Sequence, residues 1–350
     1  MTTLPLHSPP DSHLRPLPWR RMVWVTWRQH RLTLAGVATL FGAPALYLLV
    51  RGLQLHHAYA PITACQPAVS SRCAALAQEF SAAYAHGAIV TAGLLQVIPL
   101  LVGAFVGAPV LAKEFETGTF RFAWTQGFGR TRWTVAKLVP LALVVALTAA
   151  AFGALFSWYY QPVVDVGGDS DSSLLAATIF DVHPVALAAW TLTAFAIGAL
   201  AGILLRRVIP ALFATLAVWT ALAFLTGAFL RPHYQAPVVT TRAATPPSAL
   251  VINQWWTFDG KPASLDMLNR ALRPVDVQAL TLQDFQPGPT TPPTVGDPVR
   301  YLIRRGYTQH TSYQPASRFW TWQLIEGSWL LALSLALIAI TIGQVRRRAT

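Results

Sequence analysis

Charge is what this sequence has least of. Only 11% of its 350 residues are Asp, Glu, Lys or Arg, against about 25% in an ordinary soluble domain. A chain so poor in charge cannot coat two or three soluble domains, so its solvent is expected to be lipid. Cysteine is nearly missing too. Cys65 and Cys73 are the only two, too few for a thiolate metal cluster, and no imidazole ligands lie at a spacing that would complete one. No G-x-x-x-x-G-K-[ST] loop occurs, the lone Gly-Lys pair being Gly260–Lys261, so no ATP site of that kind is present. HExxH and GxSxG are absent as well, which argues against an enzyme. The first 18 residues hold no apolar stretch, and no secretory signal is expected.

What the sequence does have is apolar blocks, at Leu32–Val50, Ala88–Ala112, Val135–Tyr160, Pro184–Leu205, Val208–Leu230 and Ile325–Gly343. Each is long enough, or nearly so, to cross ~30 Å of hydrocarbon as a helix. None carries a charged residue away from its ends, which removes the buried acids that ion-coupled transport uses. The alternation of a membrane β-barrel is missing. The expected fold is therefore an all-α membrane protein with six transmembrane helices, an amphipathic interfacial helix at the N-terminus and a large external loop between helices five and six. In residue numbers, 1–31 form a cytoplasmic tail and interfacial helix, and 32–230 the first five spans with their loops. Residues 231–324 form the external loop, 325–343 the sixth span and 344–350 a cytoplasmic tail.

Net charge is +12, and its placement gives the spans a direction. Arg15, Arg20, Arg21, Arg28, Arg31, Lys113, Arg121, Arg130, Arg132, Lys137, Arg206, Arg207 and Arg346–Arg348 lie on one set of connections, with only Asp11, Glu114 and Glu116 as acids. The other side balances its charges, and its short connection Tyr159–His183 holds Asp165, Asp169, Asp171 and Asp181 with no Lys or Arg. The basic side is expected to face the cytoplasm, together with both termini. Basic charge placed this way has a topological purpose, so nucleic acid is not an expected partner.

Outside the spans, Leu17–Arg31 interleaves Trp19, Val23 and Trp27 with Arg20, Arg28 and Arg31. This reads as a helix lying among headgroups or, more simply, as a positive-inside anchor. Cys65 and Cys73 share the external, oxidising side, where a local disulfide is the expectation and a metal site the rejected alternative. The stretch VDVGGDSDSS lacks the closing Glu of a calcium loop and reads as solvated. From Arg231 to Phe319 the Pro and Thr runs read as linkers around one stretch, SLDMLNRALRPVDVQAL, with helical spacing up to Pro274, in a partly ordered cap.

The connection between spans two and three, KEFETGTFRFAWTQGFGRTRWTVAKL, begins with acids, breaks at Gly118 and closes on basic residues. Such a segment suits docking on a cytoplasmic partner, or lies as a plain interfacial loop. Its residues Glu114, Glu116, Gly118, Thr119, Arg130 and Lys137 resemble the loop after the second span in permease (transmembrane) subunits of type-2 ABC exporters, although Gly127 stands where many relatives have Pro. Tyr313–Glu326 (YQPASRFWTWQLIE) is similar to the approach to the last span in an actinobacterial branch of that family.

The resemblance implies a division of labour. ATP and Mg would be bound by a separate nucleotide-binding ATPase subunit, with no cofactor in this chain. A second permease subunit would complete a homodimer or heterodimer in the bacterial cytoplasmic membrane, and the six residues of the loop would couple ATPase to membrane. Spans two and five would line the substrate path, which singles out Thr91 and Gln96 in one and Thr215, Trp219 and Thr220 in the other. Gln96 either packs against a neighbouring helix or faces a cavity. Arg318, Gln323 and Glu326 would stand at an external gate, or beside Trp320 and Trp322 at the interface. The expected function is export of an amphipathic or apolar substrate. The alternative is a membrane-anchored sensor or assembly protein whose external segment binds a partner and which transports nothing.

Overall fold

The computed structural model describes residues 31–67, 70–118, 130–167, 172–241, 246, 248–272 and 298–347. The interfacial helix expected before Arg31, most of the Pro and Thr runs, and the loop from Thr119 to Gly129 lie outside the described residues.

A backbone in lipid must satisfy its own hydrogen bonds, so apolar runs of this length become helices. Six of the described helices are long and apolar enough to cross a membrane, and the chain is an all-α membrane protein in that sense. They are α1 (Arg31–Thr63), α2 (Ser71–Thr117), α3 (Arg130–Val166), α4 (Pro184–Leu205), α5 (Val208–Leu225, extended by a π-helical turn Thr226–Leu230) and α6 (Phe319–Arg347). Several outrun their apolar blocks. At 47 residues, α2 is ~70 Å long and projects well past the hydrocarbon. Its first turn is joined to the end of α1 by the Cys65–Cys73 disulfide. Pro44, Pro61, Pro140 and Pro162 sit inside α1 and α3, where each removes one backbone donor from its helix.

Helix α4 is the core. Of its apolar window 72% is buried, against 11% for α5 and 17% for α1, and it packs on α2, α3, α5 and α6. Small residues allow this. Gly103 and Gly107 on α2 face Gly198 and Gly202 on α4, each pair in G-x-x-x-G spacing. A Cβ on Gly198 would stand 2.6 Å from the Ala108 nitrogen, one on Gly202 2.5 Å from the Ala108 carbonyl oxygen, and one on Gly107 2.6 Å from the Phe195 oxygen. The two backbones are therefore in direct contact, the packing by which helices associate without a hydrophobic drive. At this crossing α2 widens into a π-helical turn, Gly103–Gly107. Leu46, Leu49 and Leu53 on α1 and Ile209, Phe213 and Phe224 on α5 point outward, as apolar side chains can when the surroundings are lipid or another subunit.

Between α5 and α6 the chain builds a four-stranded antiparallel sheet in the order β1-β4-β2-β3. Its strands are β1 (Val238–Thr240), β2 (Leu250–Phe258), β3 (Lys261–Pro262) and β4 (Tyr307–Gln314). The sequence alone suggests only a partly ordered cap here. The sheet has its own small core, in which Trp256 and Tyr307 meet Leu268, Leu272 and Leu302 from the helices Leu265–Leu272 and Pro298–Arg304. Strand β4 leads through Pro315 into α6, so the sheet sets where the last helix starts. That start is Phe319, six residues before the apolar block.

Candidate functional site

Polar side chains gather at both ends of the bundle. At the basic end, α2 stops at Gly118, whose φ of +71° is a left-handed conformation open to glycine at little cost. Glu114, one turn earlier, pairs with Lys137 of α3, and the Lys137 ammonium also stands 4.5 Å from the Trp133 ring centroid. Lys137 is 3% exposed and Glu114 half-buried, so this ion pair is a partly buried tie between α2 and α3. Glu116 turns the other way: its Oε2 accepts the Val208 N–H at 3.0 Å, capping the first turn of α5. The hairpin there is tight, with Arg206 left-handed at φ 56°. Two carboxylates on one helical turn of α2 thus hold two different helices. Arg130 opens α3, and Thr119 lies outside the described residues.

At the opposite end lies a denser cluster. Glu326 on α6 is fully buried and accepts from Trp190 Nε1 of α4 (2.8 Å), Arg231 Nε (3.1 Å), Arg231 Nη2 (2.7 Å) and the Tyr234 hydroxyl (3.1 Å). Arg231 Nη2 also donates to Asp181 Oδ1 at 2.5 Å, and its guanidinium lies 4.7 Å from the Phe180 ring centroid. Gln323, one turn before Glu326, accepts the Ala186 N–H and donates to the Phe180 carbonyl, both at 2.9 Å, so it caps α4. Gln96 of α2 donates to the Ala177 carbonyl at 2.7 Å and to Asp181 Oδ2 at 3.4 Å. Lost hydration pushes the Asp181 carboxyl up to about 6 against the pull of Arg231, with Glu326 adding to the rise. Burial lowers His183 to about 4; its ring lies between Phe156 and Phe319 and its Nδ1 is 2.9 Å from the Ile179 oxygen.

The expected site residues are therefore brought together in part. Glu114 meets Lys137, and Gln96 is linked to Glu326 through Asp181 and Arg231, while Gln323 bonds to the backbone of Phe180 and Ala186 beside them. Arg318 stands apart, bonded to Gln314 and to the Ala236 carbonyl (2.6 Å), where it anchors the start of α6 to the sheet. Thr91 and Thr215 return their hydroxyls to their own helices, at Gly87 (2.8 Å) and Ala211 (2.7 Å), while Thr220 is exposed. Trp219 packs edge-on against Trp190, 5.6 Å between centroids, and its buried indole N–H has no hydrogen-bond partner among the described residues. Reading the sequence missed Arg231, Asp181, Trp190 and Tyr234. It also placed no acid inside a span away from its ends, yet Glu326 lies two turns inside α6, because that helix begins before its apolar block. The one available signal was Arg231, a cation directly at the end of an apolar run.

Residues 36–231 match the family described as ABC-2 membrane transporter related. The match spans five of the six helices and more than half of the chain, so the chain belongs to that family and is a multi-pass membrane protein. No curated protein and no solved structure matches it.

Proposed function

We propose that this chain is the permease subunit of an ATP-driven exporter, of the actinobacterial type, which forms a substrate path while a separate nucleotide-binding subunit hydrolyses ATP. The basic end faces the cytoplasm, following the distribution of Lys and Arg, and the sheet lies outside. Two copies, or this chain and a second permease, complete the path against the apolar outer faces of α2 and α5.

The observation that carries the reading is the arrangement at the basic end of α2. Glu114 is tied to α3 and Glu116 to α5, so a push on the segment between α2 and α3 reaches three helices at once. These carboxylates act as positioning residues that turn a displacement of the loop into a movement of the bundle. Trp219, whose buried N–H has no hydrogen-bond partner among the described residues, keeps a donor within an apolar wall, which suits an amphipathic molecule carrying an acceptor.

The test is affinity capture of the tagged full chain from its native membrane, followed by an ATPase assay and by efflux of Nile red and ethidium from intact cells. An ATPase subunit is expected to co-purify, and Glu116→Gln to keep ATP hydrolysis while lowering efflux several-fold. Capture without any ATPase, together with unchanged efflux in the variant, overturns the proposal. It would favour the sensor or assembly reading, for which the sheet supplies a groove of about 510 Å³ between Phe258, Met267, Arg270, Arg305 and Tyr307.

A further inference from the structure

We propose that Asp181 is the releasable arm of a latch that fastens the turn before α4 onto α5 and α6, and that while fastened this turn masks the Gln96 amide of α2. The second half rests on the exporter reading; the first does not.

The latch follows from a count of donors. Two carboxylates, Asp181 and Glu326, share one guanidinium, and they share it unequally. Glu326 is fully buried and receives four donor contacts from three residues, enough to occupy both oxygens of a carboxylate that cannot reach water. Asp181 receives one short bond, from the same Nη2 that serves Glu326, and one long one from Gln96. A quarter of its side chain, 25%, remains exposed, so water can replace what it loses. Breaking the Glu326 half leaves a charge stranded in the bundle. Breaking the Asp181 half exchanges one contact for hydration and leaves the Arg231–Glu326 pair intact.

The position of Asp181 gives its release a consequence. It ends a single helical turn, Ala177–Phe180, and that turn also supplies the Ala177 carbonyl to Gln96. Both partners of the Gln96 amide therefore belong to the piece that Asp181 helps to hold down, its fixed anchor being the Phe180 carbonyl bonded to Gln323 of α6. When the turn lifts, the amide is left at membrane depth in need of a partner, on the helix proposed to line the path. A substrate acceptor group can then take the place of Ala177 and Asp181.

The experiment is hydrogen exchange by mass spectrometry on the full chain in lipid nanodiscs, comparing wild type, Asp181→Asn and Glu326→Gln, with thermal melting beside it. In Asp181→Asn, exchange over 172–183 is expected to rise at least fivefold while the melting temperature stays within about 2 °C. Glu326→Gln is expected to lower the melting temperature and to raise exchange in α4, α5 and α6 together. Unchanged exchange over 172–183 in Asp181→Asn overturns the latch. So does a global destabilisation by Asp181→Asn as large as that by Glu326→Gln, failure to fold included. For Gln96, a Gln96→Cys chain labelled on cells with a membrane-impermeant maleimide should react several-fold faster when Asp181→Asn is added. Equal rates overturn the masking and leave the latch to be judged by exchange alone.

Discussion

Arg231 shows what one residue can decide in a bundle short of charge. A guanidinium at 7% exposure is tolerable only because carboxylates face it, and loss of Glu326, the fully buried partner, costs on the order of 3–5 kcal/mol. His183, two residues after Asp181, adds a pH dependence of opposite sign to that of its neighbour. Its folded pKa of about 4 lies below the ordinary 6.5, so its contribution to stability is present above pH 6.5 and is lost as the pH falls toward 4. Asp181, raised to about 6, contributes stability at low pH that is lost as the pH rises through 6. Between pH 4 and 6 the two offset each other. Removing the acid should uncover the histidine: the melting temperature of Asp181→Asn is expected to fall more steeply than that of wild type from pH 6.5 to 4.5, and parallel curves would refute the assignment.

At the scale of elements, the crossing of α2 and α4 holds the bundle together. It depends on four glycines whose missing Cβ atoms let backbone meet backbone. Gly198→Val forces side-chain atoms against the Ala108 nitrogen, and neither helix can retreat without leaving its other neighbours. The variant is expected to lose several kcal/mol and to run as an aggregate in size-exclusion chromatography. Gly343→Val, at a position where an added Cβ would meet nothing within 4 Å, should remain monodisperse; equal behaviour of the two would show that the crossing is not critical. The spans themselves were legible because hydropathy is a local property of the chain. G-x-x-x-G stands at 103–107 and 198–202, but nothing local says that the two motifs face each other. The Arg231 network was hidden for a stronger reason. Its partners lie 50 and 95 residues away; Asp181 reads as loop charge and Glu326 as a residue of an external gate or interface, and nothing local pairs either with Arg231. The sheet was obscured because LVINQWWTF and YTQHTSYQ, though rich in β-branched and aromatic residues, stand among proline runs that suggest linkers.

At the scale of the whole molecule, the two polar ends differ in kind. At the basic end, Glu114 and Glu116 each hold a separate helix, the arrangement that the proposed coupling role uses. At the sheet end, Arg231, Glu326, Gln323 and Trp190 bind α4, α5 and α6 into one body, with Asp181 and Gln96 as the looser attachment to α2. The proposed exporter, driven from one side and opening on the other, would use this asymmetry with the basic end in the cytoplasm. Orientation is therefore the property on which the functional reading depends. Single cysteines in a chain lacking Cys65 and Cys73, placed at Asp259 near the turn of the sheet and at Arg206 in the hairpin between α4 and α5, should be labelled on intact cells by a membrane-impermeant maleimide at the first position only. Labelling at Arg206 and protection at Asp259 would invert the topology, place the sheet in the cytoplasm, and remove the basis for a coupling role of Glu114 and Glu116.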